Sequence, residues 1–236
     1  PALGKGLMLD KPFKNLSQQN YLQLMYINKI NSNLFPSLNL EYMEYTEKLG
    51  NKYIESYFDK IYILNLERRN DRWVKIKERL SKCGINNYIR YLAVDGKLKY
   101  FQDKYNNYLK LPFNEYDIKF KRKAIPSSGS YAILMSMYSL FTDAYKKKYN
   151  RILVLQDDII MHKNFQYEFE TKMQNIPNNW KLLYLGGNQR EWNNIKTNKY
   201  YYIPNKTDGA FAVAYDKSIF KPMLKEIKLM KAPFDS

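Results

Sequence analysis

Two adjacent carboxylates, Asp157 and Asp158, follow the most strand-like run of the chain, Arg151–Leu155. Neighbouring carboxylates repel each other and lose hydration where they are partly buried, so folding alone does not favour such a pair. A divalent cation removes that cost, and Mg²⁺ or Mn²⁺ is usually held by one or two carboxylates together with substrate phosphates. The pattern therefore indicates a metal site. The alternative is a solvated turn in which Asp158 caps the next helix.

A cluster of arginines follows another apolar run, Ile61–Leu66. Arg68 and Arg69 come within three residues of the end of the run, and Arg72 lies one helical turn further on. Guanidinium groups bind phosphate through paired hydrogen bonds, so this cluster suits a phosphorylated ligand. The alternative interpretation is the solvated first turn of a helix.

A parallel sheet would bring these residues together. Strand, helix and strand are predicted in succession over Ile61–Leu66, Asp71–Lys82 and Tyr88–Val94, which is the signature of a βαβ unit. Ligands of such sheets bind outside the carboxyl ends of the strands, so Asp95, which follows the second of these strands, joins the candidates. The other predicted elements are an irregular insertion over Lys97–Lys123, helices over 128–147, 164–174 and 217–230, and strands over 151–155, 181–185, 200–203 and 210–214.

The first part of the chain has a different character. Leu22, Met25 and Lys29 begin a series of residues at helical spacing, which predicts a helical appendage over residues 1–58 or the end of a longer helical region. The α/β domain is expected from residue 59 to residue 236.

Composition narrows the class of protein. A length of 236 residues suits one large domain with a small addition. The net charge of +16 leaves open a module that binds nucleic acid or another polyanion, although the excess is mainly lysine, which argues against sequence-specific reading of nucleic acid.

The single cysteine, Cys83, permits no intramolecular disulfide and favours a cytoplasmic, reducing compartment. The abundance of Tyr, Asn, Lys and Ile is typical of an AT-rich genome. The longest apolar run, Tyr131–Phe141, is too short to span a bilayer, so no transmembrane segment is expected.

Six short motifs, taken in order, resemble those of glycosyltransferase family 25. Ile61–Arg72 is similar to the family's opening Asn-Leu-x-Arg-Arg-x-Asp-Arg pattern, and Ala93–Gly96 is similar to its Ala-Val-Asp-Gly. Leu153–Asp158 resembles the family's Leu-Glu-Asp-Asp. The remaining matches are Trp180–Gly186, Thr207–Tyr215 and Pro233–Asp235, so that the resemblance covers about residues 60–236.

The resemblance implies a GT-A fold, a Rossmann-like and mostly parallel sheet flanked by helices. It implies transfer of a hexose, with galactose or glucose favoured, from a UDP-sugar to a hydroxyl of a glycan or protein acceptor, with Mn²⁺ or Mg²⁺. Asp158 is then the expected metal ligand, and Asp157 is expected on the metal or the ribose. Asp235 is the expected general base, because an inverting transfer needs a carboxylate there. Asn65, Leu66, Arg68, Arg72 and Asp95 are expected on the nucleotide, and Tyr184 and Gly186 on the floor of the donor or acceptor site.

The sequence also departs from the family pattern. The family's Gly-Cys-x-x-Ser-His is replaced by Gly129–Leu134, which lacks the Ser-His pair, and Gln156 stands where the family has Glu. Two alternatives to an active enzyme therefore stay open. One is a catalytically degenerate GT-A scaffold, and the other is a basic domain that binds nucleic acid or another polyanion.

Overall fold

The computed structural model describes residues 21–24, 53–162, 164–193, 197–204 and 207–234. Its centre is a seven-stranded sheet in the order β3-β2-β4-β7-β5-β1-β6. The strands are β1 (Tyr21–Leu24), β2 (Lys60–Leu66), β3 (Ile89–Ala93), β4 (Arg151–Gln156), β5 (Leu182–Gln189), β6 (Tyr201–Tyr202) and β7 (Thr207–Asp216). The helices are α1 (Tyr53–Tyr57), α2 (Asn70–Lys82), α3 (Lys99–Leu109), α4 (Glu115–Phe120), α5 (Ser128–Lys146), α6 (Phe165–Met173) and α7 (Phe220–Lys228).

Five strands of the sheet run in one direction, and β6 and β7 run against them. The register places Leu155 of β4 and Gly186 of β5 on either side of Ala212 of β7, at the same level of the sheet. On the other side of β4, Gln156 is level with Leu64 of β2. The carboxyl ends of β2, β3, β4 and β5 therefore meet at one edge, as the βαβ pattern predicted.

Side chains that alternate along the strands build two hydrophobic cores, one on each face of the sheet. The first face, which carries Ile63 and Leu155, is covered by α1, α2 and α6. The second face, which carries Tyr62 and Val154, is covered by α3, α5 and α7. The α/β class is confirmed, because helices shield both faces of a sheet whose strands mostly share one direction.

The prediction of an irregular insertion over Lys97–Lys123 is wrong, since this stretch forms α3 and α4. Phe101, Tyr105 and Tyr108 recur at helical spacing and face inwards, and the two tyrosine rings pack together with that of Tyr131 on α5. The lysines and asparagines between these aromatic residues conceal the period in the sequence. Asn114 begins α4 with a capping box, in which its side chain accepts the hydrogen bond of an amide in the first turn.

The helical prediction for Leu22 is also wrong, because Tyr21–Leu24 is a strand between β5 and β6. Backbone pairing with two neighbouring strands outweighs a local helical period in so short a segment. α1 is helical as expected, and Ile54 and Phe58 lie in the first core. The rest of the predicted appendage lies outside the described residues, and its division from the domain at residue 58 stays a prediction.

Candidate active site

Asn65 and Asp157 form the buried centre of the edge where the parallel strands end. The two residues are 1% and 7% exposed, respectively. The amide nitrogen Nδ2 of Asn65 donates to Oδ2 of Asp157 at 2.5 Å and to the backbone oxygen of Arg69 at 3.2 Å. Its Oδ1 accepts a hydrogen bond from Nε of Arg90 at 2.8 Å. One side chain thus joins the ends of β2 and β4 and holds Asp157 in a fixed orientation.

Arg72 bridges the two adjacent carboxylates. Its Nη1 lies 2.8 Å from Oδ2 of Asp158 and 3.2 Å from Oδ1 of Asp157. Arg72 stands in the first turn of α2, which packs on the same face of the sheet through Ile76. The Asp157 side chain is nearly buried, whereas about half of the Asp158 side chain is exposed. The two carboxylates therefore differ, because Asp157 is anchored inside the protein and Asp158 faces solvent.

Arg68 and Asp95 form a second charged pair at the same edge. Nε of Arg68 lies 2.5 Å from Oδ2 of Asp95, and the Lys97 amide donates to the other oxygen at 2.9 Å. Partial burial raises the pKa of the Asp95 carboxyl, but the hydrogen bonds from Lys97 and Arg68 outweigh it and lower that pKa below its usual value. Asp95 therefore stays ionised and keeps the Arg68 side chain beside the end of β3.

The turn at Gly96 packs directly on the start of α5. A Cβ at this position would lie 2.7 Å from the carbonyl carbon of Ser128 and 2.9 Å from the Gly129 nitrogen, closer than van der Waals contact allows. Glycine is needed here because only a residue without a side chain permits this approach. The turn thereby places Asp95 next to the N-terminal end of α5.

Comparison with known proteins assigns the family. The sequence profile described as glycosyltransferase family 25 (LPS biosynthesis protein) matches residues 58–230. The chain belongs to glycosyltransferase family 25. The resemblance drawn from the motifs is therefore confirmed, and the α/β architecture, with five strands sharing one direction, is that of a GT-A-like glycosyltransferase.

Three relatives illustrate the range of the family. Procollagen galactosyltransferase 2 of Homo sapiens is 28% identical over 151 residues, 61% of this chain and 22% of the relative. The inactive glycosyltransferase 25 family member 3 of Homo sapiens is 26% identical over 135 residues, 56% of this chain and 22% of the relative. The procollagen lysyl hydroxylase and glycosyltransferase of Acanthamoeba polyphaga mimivirus is 28% identical over 163 residues, 64% of this chain and 18% of the relative. The chain spans about a fifth of the length of these relatives.

The structure brings together most of the residues that the family-25 motifs suggested. Asn65, Arg72, Asp157 and Asp158 form one connected group, and Arg68 and Asp95 form a pair at the end of the neighbouring strand. Leu66 ends β2 and is half-buried, level with Ala93 of β3. Arg69 pairs with Asp71 at the start of α2. The roles of these residues in catalysis or binding stay predictions.

Of the two predicted residues of β5, one lies on the other face of the sheet from this group. Tyr184 packs into the core of the second face, whereas Asn65 continues the alternation of Ile61 and Ile63 on the first. Burial raises the pKa of Tyr184 to about 12. Gly186 is level with the end of β4, and a Cβ there would meet Ala212 at an ordinary 3.6 Å, so packing against the neighbouring strand does not require glycine. Asp235 lies outside the described residues.

Two further arginines, which belong to none of the motifs named above as site residues, contact the group or its connecting turn. Arg90 reaches Asn65, and its guanidinium lies 5.1 Å from the centre of the Trp73 ring. Nη1 of Arg79 donates to the backbone oxygen of Ile159 at 2.6 Å and so holds the turn after Asp158. A signal for Arg79 was present, because it lies two helical turns after Arg72 and therefore on the same face of α2.

The carboxylate pair has the donor chemistry of a site for Mn²⁺ or Mg²⁺. Carboxylate oxygens are the ligands that these hard cations prefer, and one or two of them suffice when substrate phosphates and water complete the coordination. Asp158 is accessible, while both oxygens of Asp157 already accept hydrogen bonds. Within the part of the chain that the structure describes, no group of three or more His, Cys, Asp or Glu side chains is placed to hold a metal by itself. The exposed carboxylate of Asp158 is thus the one member of the pair that is free to approach a cation from the solvent side.

Proposed function

We propose that this chain is a metal-dependent glycosyltransferase domain that transfers a hexose from a UDP-sugar to a hydroxyl of a glycan or protein acceptor. The observation that carries the proposal is the cluster of Asn65, Arg72, Asp157 and Asp158 where β2 and β4 end, in a chain of family 25. Ligands of sheets of this kind bind beyond the carboxyl ends of the strands. Galactose is the favoured hexose, supported by the galactosyltransferases among the relatives.

The proposed donor site places the nucleotide beside β2 and β3. The backbone of Leu66 would line the uridine side, and Asp95 would contact the nucleotide. Asn65, predicted on the nucleotide, is buried and would act on the site through its hydrogen bond to Asp157. Arg68 and Arg72 would bind the diphosphate, because their guanidinium groups are partly exposed and directed to this edge. Gly186 and Tyr184 are proposed for the floor of the site. Of these two residues, Gly186 lies level with the end of β4.

A divalent cation, Mn²⁺ or Mg²⁺, is part of the proposal. Asp158 would hold it through its exposed carboxylate, with Asp157 behind it as the anchored member of the pair. When bound, such a cation supplies neutralisation of the charge that develops on the departing UDP. The general base for the acceptor hydroxyl is proposed to be Asp235, on the strength of the family motif alone.

We propose that the reaction takes place in the cytoplasm. The support is that the chain has a single cysteine, Cys83, which is a free thiol. Burial raises the pKa of the Cys83 thiol, which suits a structural residue at the end of α2 rather than a nucleophile. Among the described residues, no helix is long and apolar enough to cross a membrane.

A degenerate scaffold is the second candidate. The similarity to an inactive family member favours it, as do Gln156 and the missing Ser-His pair. Such a scaffold would keep the fold and the Arg72 contacts but would bind UDP weakly or not at all. Binding of the donor nucleotide therefore separates the two candidates.

The test is a thermal unfolding titration with UDP, with and without Mn²⁺. A ligand at a hundred times its Kd adds about 2.7 kcal/mol of stability, which raises the Tm of a chain of this size by about 5–10 °C. We expect the full rise only with UDP and Mn²⁺ together, with a smaller response to either alone, and we expect the full rise to disappear in Asp158→Ala. Asp103→Ala, which removes an exposed carboxylate from α3, is the matched control and keeps the rise.

Two other results would overturn the proposal. If the Tm of the wild-type protein does not change with UDP and Mn²⁺, the result supports the scaffold. If the protein is retained on nucleic acid in a salt-dependent manner and does not respond to UDP, the result supports the polyanion-binding module. A positive result leads to a screen of UDP-sugars and acceptors.

A further inference from the structure

One guanidinium nitrogen makes the charge contacts that a metal ion would make at the carboxylate pair. Nη1 of Arg72 touches Asp157 and Asp158 at once, at 3.2 and 2.8 Å. Charge-assisted hydrogen bonds of this kind are about twice as strong as neutral ones. A cation that arrives at these carboxylates therefore competes with a positive charge that is already in place.

The three side chains differ in their freedom to move. Asp157 is buried and fixed from behind by Asn65, so it cannot follow a departing partner. About half of the Asp158 side chain and more than a third of the Arg72 side chain are exposed. Arg72 is thus a long, partly solvated side chain on a rigid helix, and it can leave the pair without any rearrangement of the core.

We propose that Arg72 is an internal counter-cation that holds the carboxylate pair in the free protein and releases it when the diphosphate of the donor arrives. This inference rests on the proposed function, because the diphosphate is what offers Arg72 a new anionic partner. When metal binds alone, it displaces Arg72, and the guanidinium finds no new anionic partner. When the nucleotide binds alone, it draws Arg72 away from two carboxylates, which then repel each other. Donor and metal therefore bind cooperatively, and Arg72 couples them.

The proposal predicts opposite effects on two ligands from one substitution. In Arg72→Gln, the carboxylate pair loses its competitor, so Mn²⁺ alone binds about tenfold more tightly than to the wild type. UDP without metal binds about tenfold more weakly, because the diphosphate loses a guanidinium partner. A residue with only a structural role would weaken both ligands or neither.

The experiment titrates each purified variant with Mn²⁺, followed by the paramagnetic signal of the free ion, and separately with UDP by calorimetry. Arg72→Lys keeps the positive charge and restores weak binding of Mn²⁺. Lys75→Gln removes an exposed positive charge from the same helix, one turn after Arg72, and we expect wild-type affinity for Mn²⁺. Adding Asp158→Asn to Arg72→Gln abolishes the gain in affinity for Mn²⁺.

An Arg72→Gln protein that folds as the wild type does, yet binds Mn²⁺ equally or more weakly, overturns the counter-cation. That failure differs from failure of the proposed function. If the wild type responds to UDP with Mn²⁺ while Arg72→Gln shows no gain for Mn²⁺, only the counter-cation is wrong. If the wild type ignores UDP under all conditions, the proposed function is wrong, and the Mn²⁺ titration of the two proteins still decides whether Arg72 competes with metal.

Discussion

Replacing Asn65 by alanine tests whether one buried amide organises the candidate site. The substitution removes the hydrogen bond to Oδ2 of Asp157 and the one accepted from Arg90. Hydrogen bonds to charged groups contribute about 1.5–3 kcal/mol each, and Asp157 is only 7% exposed, so water does not readily replace the lost donor. Because Arg90 is only half-buried, its share is smaller. We expect the free energy of unfolding to fall by about 3 kcal/mol.

The assay is unfolding by denaturant at neutral pH, supported by a fall in Tm of about 10 °C for a chain of this length. Asn106→Ala is the matched control, since Asn106 is exposed on α3 and alanine favours a helix there. The double mutant Asn65→Ala with Asp157→Ala should cost less than the sum of the single changes, because no buried carboxylate is left unpaired. A loss below 1 kcal/mol for Asn65→Ala, or strict additivity in the double mutant, would refute the reasoning.

Three further predictions concern the frame around the site. Gly96→Ala forces a methyl group against the backbone of α5 and should lower the free energy of unfolding by about 1–3 kcal/mol in denaturant titrations. Gly129→Ala is the control, because its methyl group would make only ordinary contacts, and it should leave the free energy of unfolding almost unchanged. Lys123→Met leaves the fully buried Asp117 without its 3.0 Å ion pair and should lower the free energy of unfolding by about 3–5 kcal/mol in the same assay. A loss under 1 kcal/mol would show that the ion pair contributes little. Burial raises the pKa of Tyr184 from 10.0 to about 12, so its contribution to stability is complete below pH 10 and is lost as the pH rises towards 12. Tyr184→Phe should therefore flatten the decline of Tm measured between pH 9 and 11. An unchanged slope would contradict this prediction.

Local patterns in the sequence predicted the elements that carry the site. The strand of Ile61–Leu66, the helix of Asp71–Lys82 and the strand after them are present within one or two residues of their expected bounds. Gly84, just beyond the end of α2, has a positive φ of 68°, a conformation in which glycine commonly follows a helix. These predictions succeed because hydrophobic period, β-branching and capping act over a few neighbouring residues.

Other features of the fold had no readable local signal. The sequence does not predict α3, because its inward-facing residues, Phe101, Tyr105 and Tyr108, are separated by polar residues that suggest an irregular segment. The helical period around Leu22 does not predict β1, because the strand conformation depends on pairing with β5, about 160 residues away in the sequence. The place of β7 between β4 and β5 also follows from packing of the whole sheet, which no single segment encodes.

The chemistry of the candidate site divides in the same way. The sequence by itself determined that carboxylates and arginines follow the strands of a βαβ arrangement, because residue types and strand ends are local properties. Only the tertiary structure decided their partners: Asn65 anchors Asp157 across 92 positions, Arg72 bridges both carboxylates, and Tyr184 lies on the opposite face of the sheet. The physical reason is that a contact between distant segments depends on strand order, register and the direction of each side chain, and these arise only when the whole sheet has formed.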